Sequence, residues 1–286
     1  MAAIVVFSLA ITGCSDEDPI ENIVEGPSSN DVLTVPTDAA YLGDSIRHTK
    51  TYSLANEGIT KVTVSTTQNG HISVLGGYKD VSAVYVYAKV DDDRHLSDEQ
   101  IASILEKYYD IESYVYNTEM IASVTEKDNI AHGDDYHSLR ISVKVFAPRN
   151  VSTSLNVNKG SIFASNVWGN EHNADLVAGS VKYLDSYGKT FDLNVDAGHM
   201  AVVNTTASES INALLGEGNM QFVLPKKMKA TLDLESVTKV NAYILNNSNF
   251  KGTNSHNRVV GELNGGGFKL NANSGTGVIL LRWYDR

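Results

Sequence analysis

Four side chains within six residues, His132, Asp134, Asp135 and His137, supply two imidazoles and two carboxylates, a donor set able to hold a divalent metal. Their spacing is not that of a zinc-binding helix, and Gly133 and the acids suit a solvated turn, so no metal is assigned. Asp91, Asp92 and Asp93 could offer oxygens to calcium, but the glycine and the later glutamate of an EF-hand loop are missing, which leaves a polar turn before a helix. Gly188-Lys189-Thr190 ends like a phosphate loop, yet Tyr183 stands where that loop needs its first glycine. His199 follows Gly198 at a corner and reads as structural or exposed. No Gly-x-Ser-x-Gly elbow is present, and Cys14 is the sole thiol. These residues assign neither a catalytic group nor a cofactor.

Aromatic side chains offer a different chemistry. Exposed rings in a row stack on sugar faces while their polar edges stay satisfied. Tyr85 and Tyr87 share one face of a strand, opposite Val84 and Val86, and are the ligand-binding pair the sequence singles out. Packing inside the fold is the competing role for them.

The apolar run Ala2 to Ile11, then Thr12-Gly13-Cys14, has the form of an export signal and is too short to span a bilayer. Ile11-Thr12-Gly13-Cys14 resembles the lipobox of bacterial lipoproteins. That resemblance implies removal of residues 1–13, lipidation of Cys14, and a partnership with the membrane through the lipid anchor alone. The basic residues that usually open such a signal are missing before Cys14. Ser15-Asp16-Glu17-Asp18 resembles the surface-export signal of Bacteroidota-type lipoproteins, which implies an outer-membrane protein exposed at the cell surface. Pro19, Pro27 and Pro36, among serines and acids, make residues 14–57 a flexible tether.

The formal net charge is −11, from 23 basic and 34 acidic residues. Phosphate backbones need a basic footprint, so nucleic acid is excluded as a partner. With one cysteine no intrachain disulfide forms, and stability must come from burial and backbone pairing.

From Thr60 the pattern has period two: Val62 and Val64, then Ile72 and Val74, with Gln68-Asn69-Gly70 between them as a turn signal. Strands follow at Val84–Tyr87, Tyr114–Tyr116, Met120–Val124 and Leu139–Phe146. One helix stands out near residues 97–108. Ser97 and Gln100 form a capping box, and Ile101, Ile104, Leu105 and Tyr108 recur at helical spacing. It should cover an end or flank of the strand structure.

Gly160, Gly179, Gly198 and Gly218 lie 19, 19 and 20 residues apart, each between short apolar strands. Val237 to Val240 continues the series without glycine, and Gly265–Gly267 and Gly275–Gly277 close it. Pro148, Val151, Leu155 and Val157 recur as Pro225, Met228, Leu232 and Leu234, an offset of 77. Such self-similarity signals stacked coils, with glycine at a corner where φ turns positive or backbones meet. An antiparallel sandwich with regular turns is the competing arrangement.

With Val-Phe-Ala-Pro and Phe-Val-Leu-Pro opening new stretches, residues 58–286 resemble the bacterial putative-adhesin β-repeat family, related to the head domains of putative auto-transporter adhesins. The resemblance implies an all-β, single-stranded, right-handed parallel β-helix with about 19–20 residues per coil, clearest over 148–286. It implies a non-enzymatic adhesin or ligand-binding protein for glycan or matrix protein, and carries no catalytic residues. Two other functions stay open. One is a polysaccharide lyase-like β-helix, against which Lys182, Lys189, Arg258 and Arg282 are scattered. The other is an accessory protein that binds a partner through a coil end.

Overall fold

A glycine every 19 or 20 residues sets the geometry. In the computed structural model, which describes residues 46–53, 58–78, 81–90, 95–128, 130, 131, 133 and 137–284, the chain is mostly β and is built on one large mixed, largely parallel sheet. Four long strands, β7 (Ser152–Ser165), β8 (Glu171–Leu184), β9 (Tyr187–Val203) and β10 (Thr206–Leu224), lie side by side in parallel. Gly160, Gly179, Gly198 and Gly218 are register neighbours across them, with φ of 132°, 135°, 139° and 123°. A Cβ on Gly179 would sit 1.8 Å from the Gly160 carbonyl oxygen, and the same contact recurs at each rung. Glycine is required here for both reasons that permit no substitute, positive φ and close backbone approach.

The corner also switches burial parity. Along β9, Phe191, Leu193 and Val195 are buried before Gly198, and Met200 and Val202 after it. Each strand is thus two arms that face one core, and side chains of both arms fall in a single apolar cluster. The position five before each glycine and the position four after it vary in opposite senses: Leu155 with Ala164, Ala174 with Tyr183, Leu193 with Val202, Ala213 with Phe222. A small residue on one arm is matched by a large one on the other, which keeps each rung close-packed. The extra residue of the 20-residue interval is absorbed by a register shift between Ala207 and Ser210.

A second repeated corner joins the rungs. Asn166, Asp185 and Asn204 occupy the left-handed region at φ of 58°, 50° and 46°. Next to them Ser186 and Thr205 donate to the carbonyls of Leu184 and Val203, and their hydroxyls accept the N–H of Val167 and Ser186 one rung back. Backbone that strand pairing would leave unsatisfied is therefore paired at the turn.

Rungs at both ends are laid down out of chain order. β2 (Lys61–Gly76) pairs with β7 at an offset of about 90 residues, and Gly70 is the register partner of Gly160. Asn69-Gly70 is therefore not a hairpin turn, as its sequence suggested, but another rung of the glycine ladder. Beyond β2, the next rung is made of β5 (Glu119–Glu126) and β6 (Leu139–Ala147). At the other end, β10 is followed in space by β15 (Phe268–Thr276) and β16 (Val278–Trp283), and only then by β11 (Ala230–Ser236) and β12 (Lys239–Ala242). Val237 to Val240 does not continue the series directly. It is displaced one rung by the last strands of the chain, and it is Gly277 whose Cβ would strike Gly218. The offset of 77 is likewise corrected to 79: through successive partners Leu155 stacks in line with Leu234, and Thr153 with Leu232.

The ends are closed by antiparallel strands, which a purely parallel coil does not include. β3 (Val81–Val90) pairs antiparallel with β6 and with β1 (Ile46–Ser53). β4 (Tyr109–Tyr116) makes a hairpin with β5 through Asn117 and Thr118, both at positive φ. β14 (Arg258–Leu263) pairs with β11 and with β13 (Phe250–Asn254). Such pairings blunt the open edges that a stack of parallel strands would otherwise present. The helix α1 (Asp98–Tyr108) has the capping box, with the Gln100 side chain accepting from Ser97 N–H at 2.8 Å. It buries Ile101, Ile104, Leu105 and Tyr108 against the same core. Among the described residues no helix is long and apolar enough to cross a membrane.

Candidate functional site

The outward residues of the first arms form two rows along the stack. In one, Ser154, Asn173, Asp192, Asn212, Asn271 and Asp233 are successive register partners. In the other, Asn156, Asp175, Asn194, Leu214, Asn273 and Glu235 are. Amides brace neighbouring rungs: Asn194 donates to Asp175 at 2.9 Å, Asn212 to Asp192 at 2.7 Å, and Asn271 to Asn212 at 2.9 Å. These bonds orient the side chains and leave further lone pairs and N–H groups facing solvent. Two open depressions lie on this face, of about 510 Å³ around Asp192, Asn212 and Asn271 and about 410 Å³ around Asn156, Asp175 and Asp196. Arg258 reaches the rows with a basic side chain, 3.4 Å from Asp233 and 3.6 Å from Glu235.

The residues singled out from sequence fall elsewhere. Tyr85 and Tyr87 are each 1% exposed, so they present no face to a sugar, and the assignment of these rings to ligand stacking is corrected. They belong to a small second cluster with Leu75, Ala83, Phe146 and Phe163, where the Tyr85 ring meets Phe146 edge-on at 5.7 Å. Burial pushes the Tyr87 hydroxyl up to about 12. Gly188 lies over the ring of His172, where a Cβ would come within 2.7 Å, which makes it a packing glycine and not part of a phosphate loop. His199 is exposed beside its corner. Cys14, Asp91–Asp93, His132, Asp134 and Asp135 lie outside the described residues. Among the described residues no group of three or more metal-binding side chains occurs.

His172, which no motif in the sequence marks, has unusual chemistry. It sits fully buried at a core position of β8, two residues before Ala174 in the alternating pattern. Its Nδ1 is 3.0 Å from the Thr153 hydroxyl, which is 3.0 Å from the Tyr183 hydroxyl, and its Nε2 is 3.0 Å from the Tyr187 carbonyl oxygen. The carbonyl can only accept, so Nε2 carries the proton and Nδ1 accepts from Thr153, which in turn accepts from Tyr183. The ring stacks on Phe191 at 4.5 Å. Burial, opposed by backbone bonds at Tyr187 and Gly169, lowers its pKa from the ordinary 6.5 to about 4. The network has the parts of a proton relay but is sealed from solvent, so it is a core device.

A pH dependence follows. The unfolded chain takes up this proton near pH 6.5 and the folded chain only near 4, so the contribution is complete above 6.5 and is lost as pH falls towards 4. The difference is worth about 3 kcal/mol. Urea unfolding at pH 7.5 and at pH 4.5 should differ by that amount more in the parent protein than in His172→Phe. Equal pH profiles for the two would rule the account out.

No protein-family model matches the chain, and no curated protein matches it. Among solved structures it is similar to a putative cell adhesion protein from Clostridium sporogenes, at 13% identity and a TM-score of 0.43 over 83% of this chain and 99% of that one. It is also similar to a putative adhesin from Bacteroides fragilis, at 11% identity and a TM-score of 0.30 over 83% of this chain and 96% of that one. A putative lipid binding protein from Parabacteroides distasonis follows at 8% identity and a TM-score of 0.21, over 82% and 96%.

Proposed function

We propose that the chain is a non-enzymatic surface protein, a single-stranded right-handed parallel β-helix anchored to the outer membrane by an acylated Cys14, and that it holds extended glycans on the two amide and carboxylate rows. The observation that carries this reading is the register itself. In the first row it sets polar side chains side by side over six rungs, a span of about 24 Å at the usual strand spacing, and in the second Leu214 alone interrupts them. A long, flat, repeating surface suits a chain-like ligand. Amides and carboxylates suit its hydroxyl groups, because one side chain can both accept and, for Asn, donate. Catalysis of the lyase kind needs a base and a cation converging on one sugar. Lys182 and Lys189 stand outside the rows, and Arg258 is engaged by two carboxylates.

The test uses the soluble protein with Cys14→Ser on a glycan and matrix-protein array. The Asp175→Ala/Asn194→Ala double variant removes both partners of one exposed bond and so leaves no orphan. It should bind glycans at least about tenfold more weakly at unchanged thermal stability, and the parent should leave its ligand intact. Binding indifferent to the double variant, or release of cleaved sugars, would overturn the reading.

A further inference from the structure

At the turn that precedes the first arm, Arg149, Trp168, Tyr187 and Thr206 recur at 19-residue intervals, and the first three are large and exposed. The N–H of Trp168 donates to the Arg149 carbonyl, and Tyr187 is the register partner of Thr206. Trp168 and Tyr187 are each 44% exposed. The indole is fixed: its Nε1 donates to the Asp185 carbonyl at 3.2 Å, and the Arg149 guanidinium lies 4.6 Å from the ring centroid. An exposed tryptophan held this firmly has lost its rotamer freedom before any ligand arrives.

We propose that Trp168, Tyr187 and Arg149 form a binding site for an acidic sugar, one pyranose ring stacked on the aromatic pair with its carboxylate on the Arg149 fork. The aromatic side chains stand on consecutive rungs, about 4.8 Å apart along the stack, close to the length of one sugar ring. The guanidinium has five donors in a planar fork that matches a carboxylate, and no described carboxylate forms an ion pair with it. The carboxylate of Asp185, at the same turn, accepts from the Asn204 amide at 2.5 Å. The net charge of −11 does not forbid an anionic ligand here, because charges beyond about 8 Å are screened at physiological salt. Uronic acids and sialic acids share the required chemistry. The inference rests on the glycan-binding reading but uses a surface separate from the two rows.

The chain has two tryptophans, so Trp283→Phe leaves Trp168 as the sole indole reporter. This variant, with Cys14→Ser, is titrated with trigalacturonate and with sialyllactose, against methyl-esterified trigalacturonate and lactose as neutral counterparts. At least one acidic sugar should shift and quench the emission, saturating in the millimolar range, and the pair of arms tells uronate from sialate. The neutral counterparts should do so about tenfold less well, and Arg149→Gln should weaken the acidic response by a similar factor. Tyr187→Ala, at an exposed position, should weaken both. No response to either acid, or equal responses to acid and neutral forms, overturns the proposal. So does a response that survives Arg149→Gln. If array binding is lost in the row variant yet unchanged in Trp168→Ala, this site falls and the rows stand; the opposite pattern keeps this site and removes the rows.

Discussion

Gly179→Ala destabilises the protein by at least about 4 kcal/mol, a loss reserved for a few named mechanisms. Two of them act at once. The left-handed conformation costs a Cβ-bearing residue roughly 1–2 kcal/mol, and Gly179 sits at φ of 135°. The new methyl would then lie 1.8 Å from the Gly160 carbonyl oxygen. An alanine has no rotamer with which to escape, so the rungs must part and the hydrogen bonds between β7 and β8 around the corner go with them. Gly265→Ala is the control. Gly265 also has positive φ, 89°, but an added Cβ meets nothing within 4 Å. It should cost no more than about 2 kcal/mol. Urea unfolding of both variants separates strain from collision, and a Gly179→Ala protein within about 1 kcal/mol of the parent would refute the ladder.

Removal of residues 268–286 abolishes cooperative folding of the carboxy-terminal end. Among the described strands, β15 and β16 pair with β10 on one side and with β11 and β12 on the other. Phe268, Leu270, Ala272, Ile279 and Leu281 are all buried there. At the usual worth of a fully buried apolar side chain, the four large ones alone contribute roughly 6–12 kcal/mol, as much as most domains have in total. Deletion also uncovers the edge of β10 and exposes Ile211, Leu215, Met220 and Phe222 to solvent or to other chains. The truncated chain should lose protease protection over β10 to β14, and a synthetic peptide of residues 268–286 supplied in trans should restore it. A truncated protein that unfolds as cooperatively as the parent would contradict the bridging role.

How much of this was legible depends on the range of the signal. The capping box at Ser97 and Gln100 is local chemistry, and the structure has it where the sequence placed it. The corner glycines are local too, because each needs only its own φ and the backbone next to it. Asn69-Gly70 misled for the same reason: an Asn-Gly pair serves a hairpin and a bent strand equally well, and only the partner strand decides. The order of rungs at the carboxy-terminal end could not be read, since Gly277 and Val240 suit either place and strand pairing chooses between them. Tyr85 and Tyr87 alternate with valines as an exposed pair would, but a strand buried on both faces shows the same pattern. The Asn166, Asp185 and Asn204 corner was available in the sequence as a second 19-residue period of turn-forming residues. Two residues beyond each of the first two of these corners stand Trp168 and Tyr187, an exposed aromatic pair.

The rows exist only if residues distant in sequence are neighbours in space, and paired cysteines test this directly. In the Cys14→Ser background, Asn212→Cys/Asn271→Cys joins register partners about 4.8 Å apart, within reach of a disulfide. Asn212→Cys/Asp233→Cys, the pair that a strictly sequential coil would make adjacent, is two rungs apart at about 9.6 Å, beyond that reach. Mild oxidation followed by mass measurement of the folded protein should find the first pair bridged and the second reduced. The reverse result would contradict the arrangement of the rows and the binding face built on them.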